Sequence, residues 1–292
     1  MTWQVIPPRA GREQNGRMNN TIASAPAAAN DFSALLRARR RGTGFSQMTL
    51  AADAGLSQRH LSFLESAKAR PSRAMVLQLA EALALPLRER NRWLISAGFA
   101  PLFAERPLHS ADMAPVKQAL DMLLKQQEPY PAAVVDAGWN VLQANQATHR
   151  LLSAFGDPAA LWQRVCGDKP PNLMKLTFHP EGLRPFIRNM DELGPGLLAR
   201  AIREARESEV AAEVLETVLA YPGIPARWRL AEVWTPLAPV LPTRIGLGEV
   251  TLSFITMLAS FGTPLDLTAD NLRVECLFPA DAFTEAFLRR PA

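Results

Sequence analysis

Between Phe45 and Glu65 stand Gln47, Gln58, Arg59, His60 and Ser62, hydrogen-bonding side chains set among regularly spaced leucines and alanines. At the exposed end of a short helix such groups can read base edges. Arginine grips guanine O6 and N7 with two parallel hydrogen bonds, and glutamine pairs in the same way with adenine N6 and N7. Arg59 and Gln58 are the candidates for those roles, and His60 and Ser62 share their face. Ser46, Gln47 and Ser57 suit contacts that fix backbone register. Arg40 before the cluster, and Lys68, Arg70 and Arg73 after it, are placed for phosphates, although the last three equally suit a solvated surface.

Two short helices must carry these groups. Ser46 and Ser57 each precede a helical pattern, where a hydroxyl accepts from an otherwise orphan backbone N–H. Gly55 between them tolerates the positive φ at which one helix stops and the next turns away. Leu50, Ala51, Ala54, Leu56, Leu61 and Leu64 recur at helical spacing and would close one small core, with Ala51 small enough for the helices to cross closely. The result is a helix-turn-helix whose second helix, Ser57 to Glu65, would enter the major groove. Glu65 is expected to tie that helix end to a nearby Arg or backbone N–H.

The pattern Ser-Gln-x-x-Leu-Ala-x-x-x-Gly-hydrophobic-Ser, followed by Leu-Ser-x-x-Glu, resembles the Cro/CI-type, or XRE-family, helix-turn-helix of phage repressors. The matches are Ser46, Gln47, Leu50, Ala51, Gly55, Leu56, Ser57, Leu61, Ser62 and Glu65. Two positions depart from it: Ala67 stands where the family often has Gly, and Phe63 where some relatives place a base-reading polar residue. The resemblance implies an N-terminal all-α, five-helix DNA-binding domain over residues 31–100.

The flanking sequence fits that size. Phe32, Leu35 and Leu36 stripe a first helix from Asp31 to Arg41, and Arg37, Arg39, Arg40 and Arg41 crowd its end, where cations complement the helix dipole and can also meet phosphates. Pro71-Ser72 opens a fourth helix with Met75, Leu79 and Leu83 inward; Pro86 opens a fifth carrying Trp93, Leu94 and Ile95, which stops at Gly98. From Asp31 to Arg106 there are 12 Lys and Arg against 6 Asp and Glu, whereas residues 107–292 carry a net −4. The basic part coincides with the proposed DNA-binding part. Residues 1–30 mix Pro, Gly, Ala and Asn without period and read as a flexible arm. Its Arg9, Arg12 and Arg17 offer a minor-groove contact as the alternative role, and Met18 is an alternative start.

Composition narrows the remaining classes. Of the 292 residues 48% are hydrophobic and 7% aromatic, which suits a globular chain with more than one core. No apolar run is long enough to span a membrane and no secretory signal is visible, so a cytoplasmic protein is expected. Cys166 and Cys276 lie far apart without a CxxC and read as buried thiols. His60, His109, His149 and His179 are scattered singly, and neither a nucleophile elbow, a dinucleotide fingerprint nor a P-loop is present. Neither an enzyme nor a cofactor or metal site is expected.

Beyond a linker at 101–113 the character changes. Val116 to Leu124 is an amphipathic helix; Pro131 to Asn145 reads strand, turn, strand, with the turn at Asp136-Ala-Gly138; and Gln146 to Phe155 continues as helix. A long helical stretch is expected from Pro195 to Leu219, a β-rich one from Leu247 to Phe261, and a last strand from Arg273 to Phe278. This order predicts an α+β domain, 114–292, with an antiparallel sheet.

A second resemblance lies here. Pro129-Tyr-Pro-Ala-Ala-Val-Val-Asp, Trp139-Asn-Val-Leu-Gln-Ala-Asn145, Pro171-Asn-Leu173, His179-Pro-Glu-Gly-Leu-Arg-Pro185, Tyr221-Pro-Gly223, Phe261-Gly-Thr-Pro-Leu-Asp266 and Phe278-Pro-Ala-Asp281 look like the MmyB-like ligand-binding domain. That likeness implies a PAS-like fold and, in some members, a pocket for a fatty-acid-like ligand. Trp139, Leu142, Phe254, Met257 and Phe261, with Trp228 near by, either line an apolar cavity on one face of the sheet or are plain core. For an acidic head group the candidates are Arg184, preferred, then Lys175 and Arg188, because a guanidinium can hold a carboxylate bidentately. Asn145 and Asn172 either orient a ligand or satisfy turn backbones, and the second role is favoured. The expected whole is a homodimeric regulator on an inverted-repeat operator, modulated by a small hydrophobic effector; the alternative is a second domain that only dimerises or recruits a protein partner.

Overall fold

The computed structural model describes residues 26–206, 208–229 and 240–290, with the backbone alone for 26–30. The arm residues Arg9, Arg12, Arg17 and Met18 lie outside the described residues. Contacts divide the described chain into a helical unit, 26–107 with 263–270, and a sheet unit, 108–262 with 271–290.

The helical unit contains α1 (Pro26–Gly42), α2 (Gln47–Asp53), α3 (Gln58–Glu65), α4 (Arg73–Ala82) and α5 (Leu87–Ser96). Ser46, Ser57 and Ser72 cap α2, α3 and α4 through their hydroxyls. Gly55 hinges α2 to α3 at φ 66°, and Leu56 N–H closes the turn by donating to Ala51 O at 2.7 Å. Phe32, Leu50, Ala51, Leu61, Leu64, Leu79 and Trp93 form one buried core, where the Phe32 and Trp93 rings meet edge to face at 5.6 Å. Val76 takes the buried place expected of Met75, which is only half-buried. After α3 the chain turns at Ala67 with φ 57°, in the left-handed region that favours glycine.

The stretch after α5 is not a free linker. Asn91 accepts from Leu102 N–H (2.8 Å) and Phe103 N–H (3.0 Å) and donates to Phe103 O (2.7 Å), pinning it to the helix. Farther along, Leu267 N–H donates to Ala104 O at 2.8 Å and Arg106 pairs with Asp266 at 2.9 Å. Pro86 gives α5 no side-chain cap, and the Asp270 carboxylate accepts from Leu87 N–H at 3.4 Å. The segment 263–270 is thus bonded into the helical unit.

The sheet unit runs α6 (Ala114–Gln127), β1 (Ala132–Val135), β2 (Val141–Ala144), α7 (Gln146–Ser153), α8 (Pro158–Cys166), α9 (Leu173–Phe178), α10 (Met190–Ala205), α11 (Glu209–Leu219), β3 (Thr243–Leu247), β4 (Val250–Ser260), α12 (Leu267–Asn271, whose first residues belong to the 263–270 segment), β5 (Arg273–Pro279) and α13 (Ala282–Leu288). Its five strands form one antiparallel sheet in the order β2-β1-β5-β4-β3. β1 is buried throughout. Ala132, Val134, Val274 and Cys276 face α6 through Leu120 and Leu124, while Val135 and Leu258 join α9, α10 and α11 on the other side. The β1–β2 turn is held by Asp136, whose Oδ1 accepts from Gly138 N–H (2.8 Å) and Asn140 N–H (2.9 Å).

The helical stretch expected from Pro195 to Leu219 consists of two helices. α10 starts earlier, at Met190, and carries Pro195 inside it; α11 begins after Ser208, whose hydroxyl accepts from Ala211 N–H at 3.3 Å. Strand β3, absent from the expectation, pairs in full with β4 from Thr243 opposite Phe254 to Leu247 opposite Val250.

Candidate functional site

On α3, Gln58, Arg59 and Phe63 are exposed and Ser62 is half-buried, so one face presents polar groups around an aromatic ring. The Arg59 guanidinium lies 5.4 Å from the Phe63 ring centroid. Lys68, Arg70 and Arg73 are exposed in and after the following loop, and Ser46 and Ser57 are exposed at the helix starts. His60 departs from the expected outward face: it is half-buried, with Nε2 buried and lacking a hydrogen-bond partner.

Arg40, expected at a phosphate, instead closes the fold. Its Nε is 2.5 Å from Glu65 Oε1, its Nη2 donates to Oε2 at 3.0 Å and its Nη1 to Phe45 O at 2.8 Å. Gln47 donates to the same carboxylate at 2.8 Å and Arg37 to Glu65 O, so Glu65 is the tie the sequence anticipated. Burial pushes the Glu65 carboxyl upward, but hydrogen bonds from Arg40 and Gln47 and the charges of Arg40 and Arg37 hold it below its ordinary 4.5. This network joins α1, α2 and α3 and leaves Gln58 and Arg59 exposed.

In the sheet unit, Arg184 and Trp228 line one pocket of about 370 Å³ with Met190, Asp191 and three prolines. Arg184 donates to Pro222 O at 2.6 Å and Gly223 O at 3.0 Å, and Gly223, at φ 74°, has no Cβ to displace the guanidinium. Trp228 is buried, its ring packed where a Cβ on Gly194 of α10 would sit, and its Nε1 has no hydrogen-bond partner. Arg188 lies elsewhere, donating to Gly248 O at 3.2 Å.

A second cluster escaped the sequence reading. Glu204 Oε2 accepts from Trp139 Nε1 at 2.7 Å, and its Oε1 accepts from Arg200 Nε at 2.9 Å and Arg273 Nη1 at 2.7 Å. Arg200 also stacks 4.5 Å from the Trp139 ring centroid, and Trp139 itself holds φ 65°. A cavity of only about 10 Å³ lies beneath, between Trp139, Met174, Glu204 and Val214. Alternation along β5 puts Glu275 on this same side, where burial pushes its carboxyl up to about 7 against the opposing charge of Arg200. Arg200 and Glu204 stand one helical turn apart, a spacing that on an amphipathic helix reads as solvated surface.

The other residues proposed for a ligand do not assemble. Asn145 Oδ1 accepts from Ala132 N–H and Thr148 N–H, both at 3.0 Å, while Nδ2 donates to Tyr130 O at 2.8 Å. Asn172 caps α9 through Lys175 N–H at 3.1 Å and donates to Gly138 O at 2.7 Å. Both serve backbone, the role favoured from sequence. Lys175 is buried on α9 and does not line the Arg184 pocket. Leu142 and Phe261 pack on the α6 side with the core of Val134 and Val274, Phe254 is buried in another cluster with Leu252 and Ile245, and Met257 is 59% exposed. The expected single lining face fails on strand parity: Phe254 points opposite to Met257 and Phe261, because successive strand residues alternate sides.

Among the described residues, no group of three or more His, Cys, Asp or Glu is disposed to hold a metal ion, and no helix is long and apolar enough to cross a membrane. Cys166 and Cys276 are free and buried.

Comparison with known proteins finds two matches along the chain. Residues 31–93 match a helix-turn-helix domain, and residues 116–290 match the MmyB-like transcription regulator ligand binding domain. No curated protein matches. Among solved structures, the clp gene regulator ClgR from Corynebacterium glutamicum is 23% identical over 36% of this chain and 97% of its own, with a TM-score of 0.22. With the second match covering more than half of its length behind a helix-turn-helix domain, the chain belongs to the MmyB-like transcription regulators.

Proposed function

We propose that this regulator binds an inverted-repeat operator as a homodimer in the cytoplasm, that its PAS-like sheet unit holds a small, fatty-acid-like effector which modulates operator binding, and that it catalyses no reaction. The observation that carries the effector reading is that Arg184 and Trp228, distant in sequence, line one pocket of about 370 Å³. A guanidinium has five N–H donors, of which two serve Pro222 O and Gly223 O, leaving donors for a carboxylate. Met190 and the prolines supply apolar contact. Two-fold pairing of half-sites is the usual way a helix-turn-helix domain gains affinity, and the effector acts only if it binds one dimer geometry more tightly than another.

Mass spectrometry of organic extracts from the purified full chain, against a purification of an unrelated protein from the same host, tests this. A stoichiometric long-chain acid that is lost in Arg184→Ala, and that shifts operator titrations when added back, supports it. An empty extract, with no shift by any added acid, overturns it. One observation favours a second reading, a unit that only dimerises or recruits a protein: the interior beneath Trp139 is nearly filled, with about 10 Å³ of space.

A further inference from the structure

We propose that Phe63 is a base-reading residue of α3, packing on the C5-methyl group of a thymine one or two base pairs from the guanine that Arg59 grips. The proposal rests on α3 entering the major groove. Phe63 is 37% exposed and stands apart from the core cluster of the helical unit, although the apolar residues on either side of it in α3, Leu61 and Leu64, are fully buried. Its exposed neighbours on α3 are polar, Gln58 and Arg59, so the ring is an apolar spot on a hydrogen-bonding face.

The ring's position relative to Arg59 gives it a use. The two residues are one helical turn apart, and the guanidinium lies 5.4 Å from the ring centroid. A cation over an aromatic face is held there by the ring's quadrupole, and the guanidinium retains an N–H edge free to donate. That edge is the part that meets guanine O6 and N7. Four residues of helix advance about 6 Å and successive base pairs are spaced by about 3.4 Å, so Phe63 falls within two base pairs of Arg59's contact. In the major groove the apolar feature offered by a base pair is the thymine methyl, and phenylalanine is among the side chains that contact it. The occupant is duplex DNA rather than a protein, because the ring is set within a stretch, Asp31 to Arg106, carrying 12 Lys and Arg against 6 acids.

The test begins with the full chain selecting duplexes from a randomised library. Each thymine of the enriched duplex is then replaced singly by deoxyuridine, which removes only the methyl. One or two replacements beside the guanine whose recognition Arg59→Ala abolishes should weaken binding roughly three- to five-fold, the effect of one buried methyl. Phe63→Ala should bind the thymine and uridine duplexes alike at those positions. A uridine scan that is flat for the unaltered chain, or one that Phe63→Ala leaves unchanged, overturns the proposal while DNA binding stands. No enrichment of any sequence overturns the DNA-binding reading and this proposal with it.

Discussion

The Arg40 guanidinium faces the Glu65 carboxylate in a forked pair, with Nε 2.5 Å from Oε1 and Nη2 3.0 Å from Oε2, and their side chains are 12% and 4% exposed. Removing one partner of such a pair leaves the other charged and desolvated. Arg40→Ala is therefore expected to cost the helical unit about 3–5 kcal/mol, read as a lower thermal midpoint without DNA present. An unchanged midpoint with weaker binding to all duplexes would return Arg40 to a phosphate.

The same carboxylate predicts acid sensitivity. Glu65 has a folded pKa below 4.5, so its contribution is fully present above about that pH and is lost as pH falls through the lowered value. Denaturant titrations of the wild type at pH 6 and pH 3.5 should show this loss, and Glu65→Gln should flatten it while lowering stability at pH 6.

Glu275 gives the opposite slope. Burial raises it to about 7, against the charge of Arg200, with Arg273 on its own strand and Glu204 on α10 in the same cluster. The folded state then holds that proton more tightly than the unfolded chain, so stability falls as pH rises from about 4.5 to about 7. Glu275→Gln should remove this dependence and stabilise the sheet unit at pH 8 by roughly 1–3 kcal/mol. If the variant melts below the wild type at pH 8, Glu275 has a stabilising partner as an anion.

Ala67 holds φ 57° after α3, a conformation that costs an L-residue about 1–2 kcal/mol. Glycine relieves that cost but has more freedom to lose on folding, so Ala67→Gly is expected to stabilise by about 0.5–1 kcal/mol. Equilibrium unfolding of the two chains measures it.

Gly194 lies where any Cβ would run into the Trp228 ring. Gly194→Ala should push that ring toward the Arg184 pocket, destabilise the unit by about 1–3 kcal/mol and reduce retention of an acid effector with Arg184 untouched. Full retention would place the effector elsewhere.

What could be read from the residues follows how local the causes are. The helix-turn-helix was legible because caps, hinge and apolar spacing all lie within a few residues of one another, and Ser46, Gly55 and Ser57 act as read. Arg40 misled because its partner is twenty-five positions away, and no local pattern distinguishes an arginine facing phosphate from one facing Glu65. In the sheet unit, β1, β2, β4 and β5 were visible as apolar runs, whereas β3, Thr-Arg-Ile-Gly-Leu, mixes a charge and a glycine and gains its place from pairing with β4. Phe254 and Met257 could have been separated by counting alone, since an odd spacing on a strand places them on opposite faces. The Glu204 cluster gathers groups from α10, β5 and the β1–β2 turn, which only the tertiary fold brings together.

The helical unit also has a bearing on how such regulators diversify. Because Asp270 supplies the cap that Pro86 lacks, and Asp266 and Leu267 hold Arg106 and Ala104, the unit draws on two separate stretches of the gene. A single recombination point after residue 107 would transplant a DNA reader without its own last support. Exchange of sensors between such proteins is therefore expected to succeed when the new partner brings an equivalent β4–β5 connection, and otherwise to yield a reader with a frayed fifth helix.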